Sequence, residues 1–247
     1  MKRSGAASLA TAAVAGLTLF DIAATHAQPV QYVRVVNMYG SGFYAGIGAG
    51  FSGTRNTVTP TYWDESFSTT PSNPYFSLYG GYLYIPGANS AVDANHGRSS
   101  YADGVVVGFE GRLDYSDTDG VVMPSAVEYV RVYSHFGGAF YFRAGVIIPG
   151  TNVIVTVNPG IAFRQEHTSQ WYTFTDFVES YSSTRLGWAV GASVEAPITK
   201  NVSLRVEYMH TDYGTHTYGD NAYEVKSTED RVGLGVSYHF NSVKWVP

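Results

Sequence analysis

From residue 42 onward the chain repeatedly alternates apolar residues with small or polar ones, and the last run is the most regular. In Arg231–Phe240, Val232, Leu234, Val236, Tyr238 and Phe240 share one face, while Arg231, Gly233, Gly235, Ser237 and His239 share the other. Side chains in a strand repeat every two residues, so this run predicts a strand with one wholly apolar face and one small, polar or charged face. Such a strand needs two different surroundings, and lipid outside with a wet lumen inside supplies both. The same division recurs upstream. Residues 42–52 set Phe43, Ala45, Ile47, Ala49 and Phe51 against Tyr44, Gly46, Gly48 and Gly50, where glycine makes room on the inner face. Residues 105–115 set Val105, Val107, Phe109, Leu113 and Tyr115 against Gly108, Glu110, Arg112 and Asp114. Phe142, Ala144, Val146 and Ile148 oppose Tyr141, Arg143 and Gly145; Val153, Val155, Val157, Ile161 and Phe163 oppose Thr156, Asn158 and Gly160. Pro159 falls on the outward side there and predicts a bulge. Trp188, Val190, Ala192 and Val194 oppose Gly187, Gly191, Ser193 and Glu195, and Val202, Leu204, Val206 and Tyr208 oppose Ser203, Arg205 and Glu207. Helical periodicity is absent from this part of the chain.

The connections between runs are unequal. Residues 149–152 and 197–201 are tight, whereas 53–74, 116–137, 164–185 and 213–230 read as long polar loops. Short turns at one end and long loops at the other characterise transmembrane barrels, with the long loops outside the cell. Three segments compete for two places in the middle: Tyr75–Ile85, Gly104–Tyr115 and Ala126–Tyr133. Taking the first two gives an all-β, antiparallel transmembrane β-barrel of eight strands, with a long periplasmic connection over 86–103. Adding the third and one more gives ten as the alternative.

The N-terminus changes the picture by placing the chain in an export route. Lys2-Arg3, the apolar run from Gly5 to Phe20 and Thr25-His26-Ala27 are the three parts of a secretory signal peptide over residues 1–27, with cleavage expected after Ala27. The apolar run is short for a spanning helix, and Asp21 interrupts it. The expected organisation is then an N-terminal periplasmic segment over 28–41, the barrel over 42–240 and a short extension over 241–247. Lys2, Arg3 and Asp21 leave with the signal, so 13 basic and 19 acidic residues remain, a net charge of −6 by difference, which argues against nucleic-acid binding. Cysteine is absent, which excludes disulfides, thiolate metal sites, cysteine nucleophiles and a lipidated N-terminal cysteine. Charged residues make up only 14%, against 27 glycines and 20 tyrosines, a surface suited to an aromatic-rimmed lipid contact.

The final strand, ending in an aromatic, resembles the C-terminal assembly signal of bacterial outer-membrane barrels, carried by Val232, Leu234, Val236, Tyr238 and Phe240; family members usually stop at the Phe, and here 241–247 follow. Val107–Tyr115, Gly187–Pro197, Val202–Tyr213 and Arg231–Phe240 together resemble strands three, six, seven and eight of the small OmpA-type and porin-like surface barrels of Gram-negative bacteria, over residues 42–240. No peptidoglycan-binding domain follows the barrel, so that anchoring role does not carry over. Pro29–Val35, Tyr39–Phe43 and Tyr84–Gly87 also resemble the large alpha-proteobacterial porins, whose paired cysteines this chain lacks and whose sixteen strands it could not close. The resemblance implies an outer-membrane protein whose partners are membrane lipid, lipopolysaccharide and the barrel-assembly machinery, with an extracellular ligand at the loops.

Candidate chemistry lies on the inner face. Glu110, Asp114, Glu195 and Glu207 stand against Arg112, Arg143, Arg205 and Arg231, four of each sign. A narrow lumen holds little water, so these groups must pair, and arginine suits that through its planar fork. They read as a plug of ion pairs or, alternatively, a narrow gated ion path of a porin-like channel. Some eight-stranded outer-membrane barrels modify lipid A, one a deacylase using His, Ser and Glu; here His167 and Ser169 with Glu166 or Glu179 have the residue types but lie in a predicted loop. Ser237 and His239 share a face and read as ordinary hydrogen-bonding partners. His210, Asp212 and His216 lack a further convergent metal ligand. Tyr208, Tyr213, Tyr218, Trp171, Tyr172, Phe174 and Trp188 read mostly as the outer interfacial girdle. The expectation is a non-enzymatic envelope protein without cofactor or metal. The rivals are a channel, a lipid A enzyme and a secreted lipocalin-like binder, apolar inside and polar outside.

Overall fold

The computed structural model describes residues 40–61, 65–86, 104–125, 128–148, 151–172, 178–199, 201–218 and 223–240. The expected signal peptide, most of the expected N-terminal segment, the 87–103 connection and the expected C-terminal extension lie outside the described residues. The strands are β1 (Gly42–Pro60), β2 (Phe67–Thr69), β3 (Ser72–Tyr84), β4 (Val105–Ser125), β5 (Glu128–Ile148), β6 (Val153–Val157), β7 (Gly160–Tyr172), β8 (Val178–Pro197), β9 (Val202–Tyr218) and β10 (Tyr223–His239). All pairs are antiparallel, and β10 closes onto β1 from Tyr44 opposite His239 to Pro60 opposite Tyr223. Both β6 and β7 pair with β5 on one side and β8 on the other, so they are two halves of one spanning strand. β2 is a short flap on β1, opposite Asn56–Val58. The ring therefore has eight spanning strands. The bulge expected at Pro159 does not form, since Val157 and Gly160 keep one register against both β5 and β8; Pro159 is exposed and merely interrupts the ladder because it has no N–H, while its carbonyl accepts from Phe142 N at 2.8 Å.

The four segments read as long loops are largely strand. β1 runs to Pro60, β4 to Ser125, β7 to Tyr172 and β9 to Tyr218, while β5, β8 and β10 begin at Glu128, Val178 and Tyr223. The third candidate in the middle is not a separate strand; its residues 128–133 form the far end of β5. On β10 the physical reason is an inversion of the apolar phase while the inward positions keep their parity, whereas on β5 a bulge between Tyr133 and Gly137 moves the inward positions from Ala139 and Tyr141 to Val130 and Val132. Along β10, Val232, Leu234, Val236 and Tyr238 point outward and are 43–58% exposed, whereas Val225 and Tyr223, on the opposite face, are buried and Glu224 and Lys226 point out. The strand crosses from a surround of lipid into one of water, so the apolar side chains move from the outer face to the inner. Val58, Val122, Val130 and Val132 are likewise buried inside the barrel beyond the apolar band.

That band is rimmed by aromatics. Phe43, Tyr84, Tyr238 and Phe240 mark the turn side, and Phe51, Phe76, Tyr115, Phe136, Trp188 and Tyr208 the far side, all outward and exposed. The outer face is apolar and the inner face polar, the reverse of a lipocalin. Glycine on the inner faces of β1 and β10 answers the tyrosines of β3: a Cβ at Gly50 would stand 2.9 Å from Tyr75 Cε1, and one at Gly235 2.5 Å from the Tyr79 hydroxyl. The interior is stratified. Tyr44, Tyr79, Leu83, Ile85, Val106, Ile147 and Ile154 pack into an apolar floor at the turn end. Val58, Val122, Val130, Val132, Tyr218, Tyr223 and Val225 form an apolar roof at the other, with Phe67 and Tyr181 packed against it. Between them lie the charges.

Candidate functional site

Each inward charge is placed by strand alternation, and a two-residue spacing puts consecutive charges on one face. Glu110, Arg112 and Asp114 project from β4, Arg143 from β5, Glu195 from β8, Arg205 and Glu207 from β9, and Arg231 from β10. All eight are buried, from 0% exposed for Glu195 to 7% for Glu207 and Arg231. Glu110 sits at the centre: Arg205 donates to it at 2.5 and 3.4 Å, Tyr44 donates its hydroxyl at 2.7 Å, and Arg143 and Arg112 stand at 3.5 and 3.7 Å. Glu195 accepts from Arg143 at 3.1 Å and from Ser203 at 2.5 Å, with His239 Nε2 at 2.9 Å. Glu207 pairs with Arg112 and lies 3.5 Å from Arg205, and Asp114 accepts from Arg231 at 2.5 Å.

Arg231 also reaches Glu229 at 2.9 Å, which links this tier to a second one above it. There Glu166 pairs with Arg164, lies 2.5 Å from Arg185 and accepts from the Tyr218 hydroxyl at 3.0 Å and Ser227 at 3.2 Å. Arg164, Glu166, Arg185 and Glu229 fell within predicted loops. Their signal was the same-face spacing of two, Arg164 with Glu166 and Glu229 with Arg231, which repeats Glu110 with Arg112 and Arg205 with Glu207. Among the described residues the lumen thus holds six buried carboxylates and six buried guanidiniums, so this buried set is electrically balanced. Each arginine also faces a tyrosine ring: Arg205 over Tyr79 at 3.9 Å, Arg164 over Tyr213 at 4.4 Å, Arg231 over Tyr75 and Arg185 over Tyr218 at 5.3 Å, Arg143 over Tyr44 at 5.4 Å and Arg112 over Tyr141 at 5.8 Å. These contacts stabilise cations removed from water.

Glu166 and Glu229 lie above the apolar band, flanked by the outward polar residues Gln165, His167, Thr228 and Asp230. Burial opposes the ionisation of Glu166, but Arg164 and Arg185 outweigh it and hold the carboxyl below its ordinary range. Burial likewise opposes the ionisation of Glu229, where Arg231 and Arg164 prevail in the same direction.

The other candidates separate. Glu166 is inward on β7, whereas His167 and Ser169 belong to its outer face; Ser169 bonds Ser180 at 3.2 Å, and the His167 ring stacks on Tyr133. Glu179 accepts from Tyr181 at 2.7 Å on the inner face of β8, so neither glutamate meets the serine and histidine. Ser237 bonds Tyr79 at 3.1 Å, and His239 lies 3.1 Å from Ser203 and 2.9 Å from Glu195 rather than facing Ser237. His210 stands 2.8 Å from Asp230, while Asp212 accepts from Gly214 N at 2.7 Å; no group of three metal-ligand side chains converges among the described residues. Of the predicted girdle, Tyr208 and Trp188 point outward at 47% and 53% exposure, but Tyr213 and Tyr218 are buried in the lumen. Trp171 stands eight residues beyond Phe163, roughly 26 Å along the strand, too far for the same interface. Phe174 lies outside the described residues. The residues of the C-terminal pattern, Val232, Leu234, Val236, Tyr238 and Phe240, form a continuous exposed stripe on the closing strand.

The outer membrane protein beta-barrel domain family matches residues 12–240. A 25 kDa outer-membrane immunogenic protein of Brucella abortus is 29% identical over 178 residues, covering 66% of this chain and 78% of that protein. A 31 kDa outer-membrane immunogenic protein of Brucella melitensis is 26% identical over 250 residues, covering 95% and 96%. Among solved structures, the outer membrane protein OprG of Pseudomonas aeruginosa is similar with 13% identity and a TM-score of 0.41, covering 82% of this chain and 99% of that one. The chain therefore belongs to the outer membrane protein beta-barrel domain family and is an outer-membrane protein.

Proposed function

We propose that this protein is a sealed, non-enzymatic barrel that contributes to envelope structure and carries a rigid wall of strand beyond the membrane for surface recognition. The observation that carries this reading is the closed sequence of strata inside: an apolar floor, a balanced network of six carboxylates and six guanidiniums, and an apolar roof. An ion path needs water and weakly held charges, whereas here each carboxylate is engaged by at least one arginine and the lumen is capped at both ends. An eight-stranded ring is also only wide enough for its own side chains. The separation of Glu166 from His167 and Ser169 favours the non-enzymatic reading over a lipid A hydrolase.

Planar-bilayer recordings of the folded chain test this. The expected outcome is insertion without a stable conductance step, with Glu110→Ala and Arg205→Ala variants admitting flickering currents as the network loosens. A steady, sizeable conductance from the unaltered protein would make it a channel.

A further inference from the structure

The outer face of the wall beyond the membrane is as ordered as its lumen. Where β4, β5 and β7 lie side by side, successive rows cross the sheet: Asp119, Tyr133 and His167; then Val121, Arg131 and Ser169; Tyr129 and Trp171 pair in the row above. The rings of Tyr133 and His167 stack at 5.0 Å with an interplanar angle of 13°, and those of Tyr129 and Trp171 at 5.7 Å and 9°. Between the two ring pairs Arg131 is clamped by Asp119 at 2.8 and 2.5 Å and lies 5.1 Å from the Tyr133 ring. Ser169 and the exposed Ser180 and Ser182 continue these rows onto β8.

We infer that this face binds the saccharide portion of a neighbouring outer-leaflet glycolipid. The face begins about four residues past Phe163 and ends about eight past it, which at the usual strand rise and tilt places it roughly 10–20 Å above the apolar band. It looks sideways along the membrane, where glycolipid sugars stand. A pyranose offers an apolar C–H face and a rim of hydroxyls. Flat stacked rings with a fixed guanidinium and carboxylate between them present the complement: aromatic surface for the C–H face, and a donor and an acceptor held in place for the rim. The rings lose little rotamer freedom on binding, because each is already held by its partner. The charges of Arg131 and Asp119 cancel, so the site selects neutral sugar rather than phosphate.

The full chain folded in detergent is titrated with polysaccharide released from lipopolysaccharide by mild acid and freed of lipid A, with binding read by saturation-transfer NMR and by shielding of tryptophan from acrylamide. The expected result is binding that persists when the phosphates are removed enzymatically. It weakens about tenfold in Trp171→Ala and in Tyr133→Ala, while Trp188→Phe, on the apolar band, leaves it unchanged. Heat-modifiable migration on a gel confirms that each variant is folded, and Arg131→Gln, which keeps the rings, retains part of the affinity. Absence of binding, binding abolished by phosphate removal, or binding unaffected in both ring variants would overturn the assignment. A conducting barrel would not, because the wall and the lumen are tested separately.

Discussion

At the scale of single residues, the protein is governed by what a buried charge demands. Glu110 is contacted by three arginines and a tyrosine hydroxyl, with 2% exposure. Replacing it by glutamine leaves those arginines with one anion fewer in a site without bulk water. Removing one partner of a buried ionic group costs about 3–5 kcal/mol, so Glu110→Gln is expected to lower the equilibrium stability of the vesicle-folded barrel by about that amount in a urea titration. The tyrosines and glycines form a second residue-scale constraint. A Cβ at position 235 would meet the Tyr79 hydroxyl at 2.5 Å, but the next ring atom only at 3.3 Å. Gly235→Ala should therefore destabilise by about 1–3 kcal/mol, and Tyr79→Phe, which removes the offending oxygen, should recover part of that loss in a double-mutant cycle even though it forfeits the bond to Ser237. The eight inward charges on β4, β5, β8, β9 and β10 were legible because alternation with apolar neighbours assigns their face without ambiguity. Arg164, Glu166, Arg185 and Glu229 were not, since Gln165, His167, Thr184, Thr228 and Asp230 make both faces of those segments polar.

At the scale of the strand, β10 serves two surrounds with one unbroken alternation. On β10 the outward Leu234 meets lipid and the outward Lys226 meets water, eight residues apart on the same face. Leu234→Lys is expected to cost about 2–4 kcal/mol near the middle of the band, measured as the folded fraction in vesicles. Lys226→Leu should leave stability nearly unchanged. The charge tier in the part beyond the membrane gives the strands a pH response. Glu166 and Glu229 are held below their ordinary range when folded, so their contribution is complete above the unfolded carboxylate value, about 4.3, and is lost as pH falls through the lower folded values. Amide protection factors, exchange rates corrected for the intrinsic pH dependence, should fall in acid over the outer thirds of β7 and β10 while those of the band residues hold, and Glu166→Gln should remove much of that fall. The element boundaries misread from sequence trace to the same cause. Alternation was followed only while apolar residues faced out; the apolar phase inverts where water replaces lipid, and register shifts between β4 and β5, β5 and β7, and β9 and β10 interrupt the period there.

At the scale of the whole molecule, eight strands closed between β10 and β1 leave an interior that only side chains can fill, and this chain fills it in layers. The apolar stripes, the export signature and the aromatic closing strand were enough to favour an eight-stranded antiparallel barrel over a ten-stranded one and to point to its family, because period-two alternation is a local property and a barrel is its natural closure. Partnership across the lumen is not local. Arg205 meets Glu110 from 95 positions away and Arg231 meets Asp114 from 117, and which strands face each other depends on tilt and register once the ring has closed. The same holds for the floor and the roof, whose members come from strands far apart in sequence and meet only once the ring has closed. Alternation told which side chains point inward; only closure of the ring could tell what they meet there.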